Sequence, residues 1–322
     1  MAEARFETLA KVASLYYEDG LSQEQIAAQL GYSRAHISRL LSEARREGIV
    51  EIRVLHPLER ASVLEKKLQA SFDLKQVMVL QGGELAYGQM LRRLGALAAR
   101  LLAESIESQS ILGISWGTAL SEVAHTLQPM DLPGVKVVQL IGSATSRDHQ
   151  VDGPGLAREF SLRIGGQYFT LAAPWLVRDR RTRDALVKEK RMCEILNMAQ
   201  QADIALVGIG SVEPGYSSLV RAGYITLDQL RELQKLGIVG DVCGHHFDLA
   251  GKLVDISMVG YAIGIDADSL RRIPLVISVA GGMIKARAIL GALRAGLVNA
   301  LVTDDSAARG VLDLMEQQSI HR

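Results

Sequence analysis

The sequence predicts an α/β protein: a winged N-terminal helix-turn-helix domain over residues 1–56, then a larger parallel-sheet domain over 57–322. Three observations predict this. Residues 21–54, LSQEQIAAQLGYSRAHISRLLSEARREGIVEIRV, hold two short helical patterns separated by a tight break and followed by a β-like run. From about residue 110, short apolar strands alternate with Gly/Ser-rich turns and helices. The 322 residues include 30 glycines and are 48% apolar, which suits more than one domain and many strand-to-helix turns.

The first helix is expected over 4–19, where Phe6, Leu9, Ala10, Ala13 and Tyr17 recur every three or four residues and share a face. Gly20 ends it. Ser22 is placed to cap a second helix, with Gln25 as its capping-box partner, and Ile26, Ala27 and Leu30 line the inner side. Gly31 permits the sharp turn. Ser33 caps a third helix over about 34–47, with Ile37, Leu40, Leu41 and Ala44 inward. Its outer side presents Arg34, Ala35, His36, Ser38 and Arg39 near the N-terminal end. That is the layout of a helix that enters a major groove: early side chains reach base edges, and a small residue such as Ala35 allows close approach. Gly48 ends the helix, and the alternation of Ile49, Glu51 and Arg53 predicts a strand acting as a wing.

Charge is informative only locally. The chain balances 36 basic against 36 acidic residues, and residues 1–56 hold seven against eight, so no global field recruits nucleic acid. Within 34–46, however, there are four arginines against Glu43 alone. Double-stranded DNA is therefore the expected partner, contacted by Ser33, Arg34, Ala35, His36, Ser38 and Arg39. The alternative is that this helical piece packs on a protein.

Residues 57–110 read as helix-rich. Pro57 stops the wing. LERASVLEKKLQASF is amphipathic through Leu58, Ala61, Leu64 or Glu65, and Leu68. YGQMLRRLGALAARLLAESI carries a wide apolar face of Met90, Leu91, Leu94, Leu97, Ala98, Leu101 and Leu102. These faces are expected to pack on the following domain. A second copy of the chain is a further partner, because groove readers of this type act on paired half-sites.

Beyond residue 110, SILGIS, VKVVQLIGS, ADIALVGIGS, PLVISVAGG and VNALVTDD read as buried, non-alternating strands between helices, the mark of a parallel sheet covered on both faces. Sites in such sheets lie at the C-terminal strand ends. Those ends supply Gly117 and Thr118, Gly142 and Ser143, Gly210 and Ser211, and Gly281 and Gly282 with Lys285 in the next turn. Small residues let backbone N–H groups approach an anion, a helix N-terminus adds positive potential, and Lys285 adds a counter-charge. There is neither a GxGxxG fingerprint nor a GxxxxGK[ST] loop, so no nucleotide cofactor is expected, and a phosphorylated small molecule fits better. Asp241 in GDVCGHHFD suits ligand hydroxyls. The Cys and His residues beside it lack a second ligand pair at metal spacing, so no metal is expected. Asp304 and Asp305 read as helix caps or ligand contacts, and Trp116 as packing or pocket wall. Lys285 is also a candidate for imine formation, ranked below ion pairing. Two cysteines, an N-terminus without an apolar signal core, and no run long enough to span a bilayer predict a cytoplasmic protein without a membrane partner.

The stretches LYYEDGLSQEQIAAQLGYSRAHISRLLSEARREGIVEIRV, GISWGTAL, ADIALVGIGS, GDVCGHHFD, GGMIKARAILGAL and LVTDDSAARGVL resemble, in this order and over nearly the whole chain, the SorC-type bacterial transcriptional regulators. The resemblance implies a helix-turn-helix joined to an effector domain similar to sugar-phosphate isomerases and glucosamine-phosphate deaminases. It implies a tetramer that regulates a carbohydrate or polyol catabolic operon in response to a phosphosugar, without catalysis. By motif, Gly117 and Thr118 match the phosphate-contact turn, Asp241 the acidic position that meets effector hydroxyls, Lys285 the basic position after paired glycines, and Tyr16 and Tyr17 an aromatic pair before the recognition unit. Two positions depart: Ala119 where many relatives carry a hydroxyl residue, and Asp305 where many carry Glu. The first removes a phosphate hydrogen bond and leaves a free sugar or polyol as the alternative effector. The rival function is a sugar-phosphate isomerase or deaminase with a helical appendage, which needs an acid–base pair; Asp241, His245 and Asp304 are available at strand ends.

Overall fold

The computed structural model describes residues 2–50, 58–83, 85–143, 152–257 and 260–320. Contacts divide the chain into two compact units, Met1–Pro57 and Leu58–Arg322.

The first unit is built from α1 (Ala2–Tyr17), α2 (Gln23–Leu30) and α3 (Arg34–Arg46). Local chemistry sets each boundary. Ser22 accepts from the Gln25 N–H while the Gln25 side chain accepts from the Ser22 N–H, a complete capping box. Gly31 closes α2 at φ 70°, in the left-handed region. Ser33 then accepts from the His36 N–H at 3.2 Å and starts α3. Leu9, Val12, Ala13, Ile26, Ile37, Leu40, Leu41 and Ala44 form the core of this unit. Each large aliphatic side chain in it stabilises the unit by about 1.5–3 kcal/mol. One expectation is corrected. Phe6 is 59% exposed and Tyr17 37%, so the inward stripe of α1 is Leu9, Val12 and Ala13, with Leu15 and Tyr16 beside it. Tyr17 instead accepts from the Arg45 guanidinium at 2.9 Å. Ile49 and Val50 pack against the core, but Glu51 and Arg53 of the expected wing lie outside the described residues.

The second unit centres on a parallel sheet with the order β1 (Gln76–Leu80), β12 (Ala300–Asp304), β11 (Leu275–Val279), β6 (Ile204–Gly208), β2 (Ile111–Ile114), β3 (Lys136–Gln139), β4 (Gln167–Phe169). The helix-rich reading of 57–110 holds in its two helices but omitted β1. It lies between α4 (Ser62–Phe72) and α5 (Tyr87–Ser105) and pairs with β12 from Gln76–Ala300 to Leu80–Asp304. One sheet face carries α5, α6 (Thr118–Thr126) and the helix Gly153–Ile164. The other carries α4 and the helices Lys190–Gln200, Ala286–Arg294 and Asp305–Ile320. Two small sheets complete the unit: β5 (Leu176–Val177) with β10 (Tyr261–Ala262), and β7 (Gly210–Ser211) with β8 (Ile238–Val242) and β9 (His245–Asp248). The β8–β9 turn is the pair Cys243 and Gly244, at φ 51° and 79°. Such a turn matches the twist of a hairpin, and Gly244 takes its conformation without steric cost.

Strand order fixes where a ligand can bind. From β2 the chain steps outward through β3 to β4. From β6 it steps the other way through β11 to β12. The reversal lies between β2 and β6, and their connections diverge there, leaving a crevice at the C-terminal ends.

Candidate functional site

A cleft occupies that crevice. Its empty volume, solvent mouth included, is about 590 Å3. Ser115 closes the seam between the two strands: its N–H donates to the Leu206 carbonyl at 3.1 Å and its hydroxyl accepts from the Gly208 N–H at 3.4 Å. Gly117 follows at φ 131°, a conformation that favours glycine, and is the N-cap of α6. No side chain caps this helix, so its first N–H groups and its positive end face the cleft beside Thr118 and Ala119.

Asp241 enters from β8. Its carboxylate accepts from the Gly244 N–H at 3.2 Å. A Cβ at Gly210 would overlap that carboxylate, so glycine there makes room for the acid. Lys285 enters at the end of the turn Met283–Lys285, after Gly281 and Gly282, and its ammonium donates to the Ile209 carbonyl at 2.6 Å. Burial lowers the Lys285 pKa to about 8, against an upward push from Asp241 and a further downward push from Arg221. Trp116 and Trp175 pack edge to face, 5.2 Å between centroids, and both line the cleft. Trp116 also donates to the Gly142 carbonyl at 3.1 Å.

The structure brings Gly117, Thr118, Gly210, Asp241 and Lys285 together on this lining. Gly142, Ser143, Ser211 and Gly282 are not on it. Gly142 and Ser143 are occupied by the Ala173–Trp175 segment. The Ser143 N–H donates to the Ala173 carbonyl at 2.9 Å, and a Cβ on Gly142 would lie 2.5 Å from the Pro174 oxygen. The Ser211 hydroxyl accepts from the Glu213 N–H, and Gly282 donates to Asp304 at 2.5 Å. Asp304 is 5% exposed and also accepts from the N–H and hydroxyl of Ser306; Asp305 accepts from the Gly82 N–H at 3.3 Å. Both acids thus tie loops and the last helix together. His245 and His246 bond to the Ile265 and Gly244 carbonyls. Among the described residues, no cluster of three or more His, Cys, Asp or Glu side chains could hold a metal ion.

Sequence reasoning missed Arg221, Tyr216 and Ser218, which also line the cleft. Arg221 is exposed and makes no ion pair among the described residues. The cleft thus collects Lys285 and Arg221 against Asp241, a net basic site. The only sequence signal was Ser217, which caps the short helix Ser218–Arg221 by accepting from Val220.

The other surface of interest is α3. Ser33, Arg34, Ala35, Ser38 and Arg39 are exposed and His36 half-buried, its ring 4.8 Å from that of Tyr32. Arg34 pairs with Glu24 of α2 at 3.2 Å, and an ion pair between Arg5 and Glu43 joins α1 to α3. Arg39 makes no ion pair among the described residues. The six residues expected to meet DNA therefore lie on one short stretch over a rigid core, with one arginine engaged by a neighbour.

Comparison with known proteins resolves the identity of this arrangement. Residues 56–313 match the Sugar-bind family of sugar-binding domains, and residues 9–67 match the Crp-like helix-turn-helix domain. The chain is 34% identical over 311 residues to the transcriptional regulator LsrR of Enterobacter sp. (strain 638), covering 96% of this chain and 93% of that one. It is 31% identical over 303 residues to the deoxyribonucleoside regulator of Bacillus subtilis (strain 168), covering 94% and 96%. The crystal structure of the full-length sorbitol operon regulator SorC from Klebsiella pneumoniae superposes with a TM-score of 0.72 at 28% identity, covering 95% of this chain and 98% of that one. No helix among the described residues is long and apolar enough to cross a membrane. With a sugar-binding α/β domain behind a helix-turn-helix, the chain belongs to the SorC-type family of DNA-binding transcriptional regulators.

Proposed function

We propose that this regulator is a cytoplasmic, non-enzymatic tetramer that controls a carbohydrate or polyol catabolic operon and responds to a phosphorylated sugar bound in the cleft. The observation that carries the reading is the pairing of two cations with an uncapped helix start across from a single carboxylate. A phosphate is an acceptor-only dianion, and the α6 N-terminus with Thr118, Lys285 and Arg221 supplies its donors. Asp241 accepts from sugar hydroxyls, as the two tryptophans form an apolar wall. The backbone N–H of Ala119 can serve where its side chain cannot. Relatives named as regulators of deoxyribonucleosides and of a sorbitol operon support a small polyhydroxylated effector.

In this reading residues 1–56 bind operator DNA and residues 57–322 bind effector and assemble the oligomer. Arg34 and Arg39 contact phosphates and bases, with Ser33, Ala35, His36 and Ser38 fixing the approach of α3. A coupling of about 1–3 kcal/mol between effector and operator shifts affinity roughly 5–150-fold. A thermal-shift screen against phosphorylated and free sugars tests the proposal, followed by operator retention with the best stabiliser. A phosphorylated sugar should stabilise the protein and change retention, and Lys285→Ala should lose both effects while still binding operator. Stabilisation by free sugars alone, or an unchanged Lys285→Ala response, refutes the phosphate assignment. Aldose–ketose turnover that survives removal of residues 1–56 refutes the non-enzymatic one.

A further inference from the structure

Arg221 reaches the cleft on a four-residue helix, Ser218–Arg221, too short to hold its shape alone in water. Its place depends on what pins the connection between β7 and the helix Leu227–Lys235. Leu219, 2% exposed, pins the middle. Tyr224 pins the far end: its hydroxyl donates to the Ser143 carbonyl at 3.0 Å, and its ring meets that of Trp175 edge to face at 5.3 Å. At the near end Pro214 and Gly215 are exposed. The tie there is Tyr216, whose ring packs edge to face on Tyr87 with 5.4 Å between centroids.

Tyr87 opens α5 and does not line the cleft. It also borders the second segment that carries a cation. A Cβ on Gly282, just before the turn Met283–Lys285, would lie 3.6 Å from the Tyr87 ring, at van der Waals distance. One ring thus adjoins both the connection that brings Arg221 and the turn that brings Lys285. The electrostatics agree. Arg221 pushes down the pKa of both Tyr87 and Lys285, against or alongside the effect of burial, so its guanidinium acts on each. Two cations on one small cleft repel. Without an anion between them the repulsion favours an outward Arg221, and a brace has to oppose it.

We propose that Tyr87 is a positioning residue of the effector cleft: through Tyr216 its ring braces the Arg221 connection against the turn before Lys285 and keeps both cations set for one anion. This role rests on the phosphate reading of the cleft, and it falls to a residue outside the lining.

The test is a titration of the full chain with inorganic phosphate, followed by the fluorescence of Trp116 and Trp175, which line the cleft. Tyr87→Ala should weaken phosphate binding roughly 2–12-fold, the worth of one aromatic pair. Tyr87→Phe keeps the ring and should retain the wild-type affinity. In an Arg221→Ala background, Tyr87→Ala should add no further loss, because the brace then has no cation to hold. Should Tyr87→Ala fail to fold, Tyr87→Leu replaces it with the same expectations. Wild-type affinity in the variant without the ring overturns the proposal. So does an undiminished loss in the Arg221→Ala background, or a loss in Tyr87→Phe equal to that in Tyr87→Ala. A wild-type chain that binds no phosphate defeats the cleft reading itself, and the role of Tyr87 with it.

Discussion

Replacing Lys285 with methionine should make the unliganded protein more stable while weakening its hold on an anionic effector. The magnitude follows from the environment. Burial lowers the Lys285 pKa from 10.5 to about 8. At 1.36 kcal/mol per unit this is an ammonium penalised by about 3 kcal/mol at neutral pH. Its hydrogen bond to the Ile209 carbonyl at 2.6 Å returns about 1 kcal/mol net. Methionine keeps the stem and removes the charge, so the expected gain is on the order of 1–2 kcal/mol. The sign of the pH dependence follows as well. The folded pKa lies below the unfolded one, so the unfolded chain binds more protons between pH 8 and 10.5. Stability of the wild-type chain therefore rises with pH across that window, and the slope contributed by Lys285 is absent from Lys285→Met. Urea titrations at neutral pH and above pH 10.5 decide it. A variant less stable than wild type at neutral pH, or one with an undiminished pH slope, refutes the reasoning and makes Lys285 a structural residue.

Three further outcomes follow. Leu40→Ala removes a side chain that is 1% exposed in the first unit and should cost about 2–5 kcal/mol. Operator retention should fail while tryptophan fluorescence keeps its wild-type denaturation midpoint, since Trp116 and Trp175 belong to the second unit. Arg39→Ala should weaken operator binding and lower the slope of log affinity against log salt by about 0.9, read by fluorescence anisotropy at several ionic strengths, if the side chain holds one phosphate. Gly95→Ala should cost about 1–3 kcal/mol by denaturant midpoint, because a Cβ there would lie 2.6 Å from the Glu122 carbonyl carbon and force α5 from α6.

The parts legible in the sequence were those fixed by neighbours in the chain. Ser22 with Gln25, Gly31 and Ser33 act within four residues, so the boundaries of α2 and α3 could be read directly. Buried parallel strands also announce themselves, because apolar runs such as IALVG cannot serve a solvated surface. β1 and β4 were missed for opposite reasons. QVMVL is a five-residue run squeezed between two strong helical patterns, marked only by Gly82 and Gly83 after it, and QYF is a three-residue edge strand with only Phe169 half-buried. The cleft repeats this division. Gly117, Thr118, Gly210 and Lys285 converge because they follow β2, β6 and β11, whose ends lead to one edge of the parallel sheet, while Asp241 reaches that edge from β8 of the small antiparallel sheet. Arg221 arrives through a connection held by Leu219, which is 2% exposed, and only tertiary packing puts it there. Gly142 and Ser143 satisfy the strand-end rule too, but the Ala173–Trp175 segment pairs with them first.

Two of the cleft's polar groups, Lys285 and Asp241, are hydrogen-bonded to the protein's own backbone, and that bears on how a ligand could act. Lys285 donates to Ile209, one residue before β7, and Asp241 accepts from Gly244, in the β8–β9 turn. Gly210 of β7 pairs with Asp241 of β8, and a side chain at Gly210 would displace the acid. A phosphate that draws the Lys285 ammonium away leaves the Ile209 carbonyl short of a donor at the start of β7. A hydroxyl that engages Asp241 competes with the N–H that shapes the hairpin turn. Both effects fall on one small antiparallel sheet, β7–β8–β9, rather than on β2, β6 and β11 of the parallel sheet, each of which is paired on both sides. A ligand shifts an equilibrium only through its differential affinity for two arrangements. In the proposed reading that difference resides in whether Lys285 and Asp241 serve the hairpin or the ligand, which would make the small sheet the element whose position an effector sets.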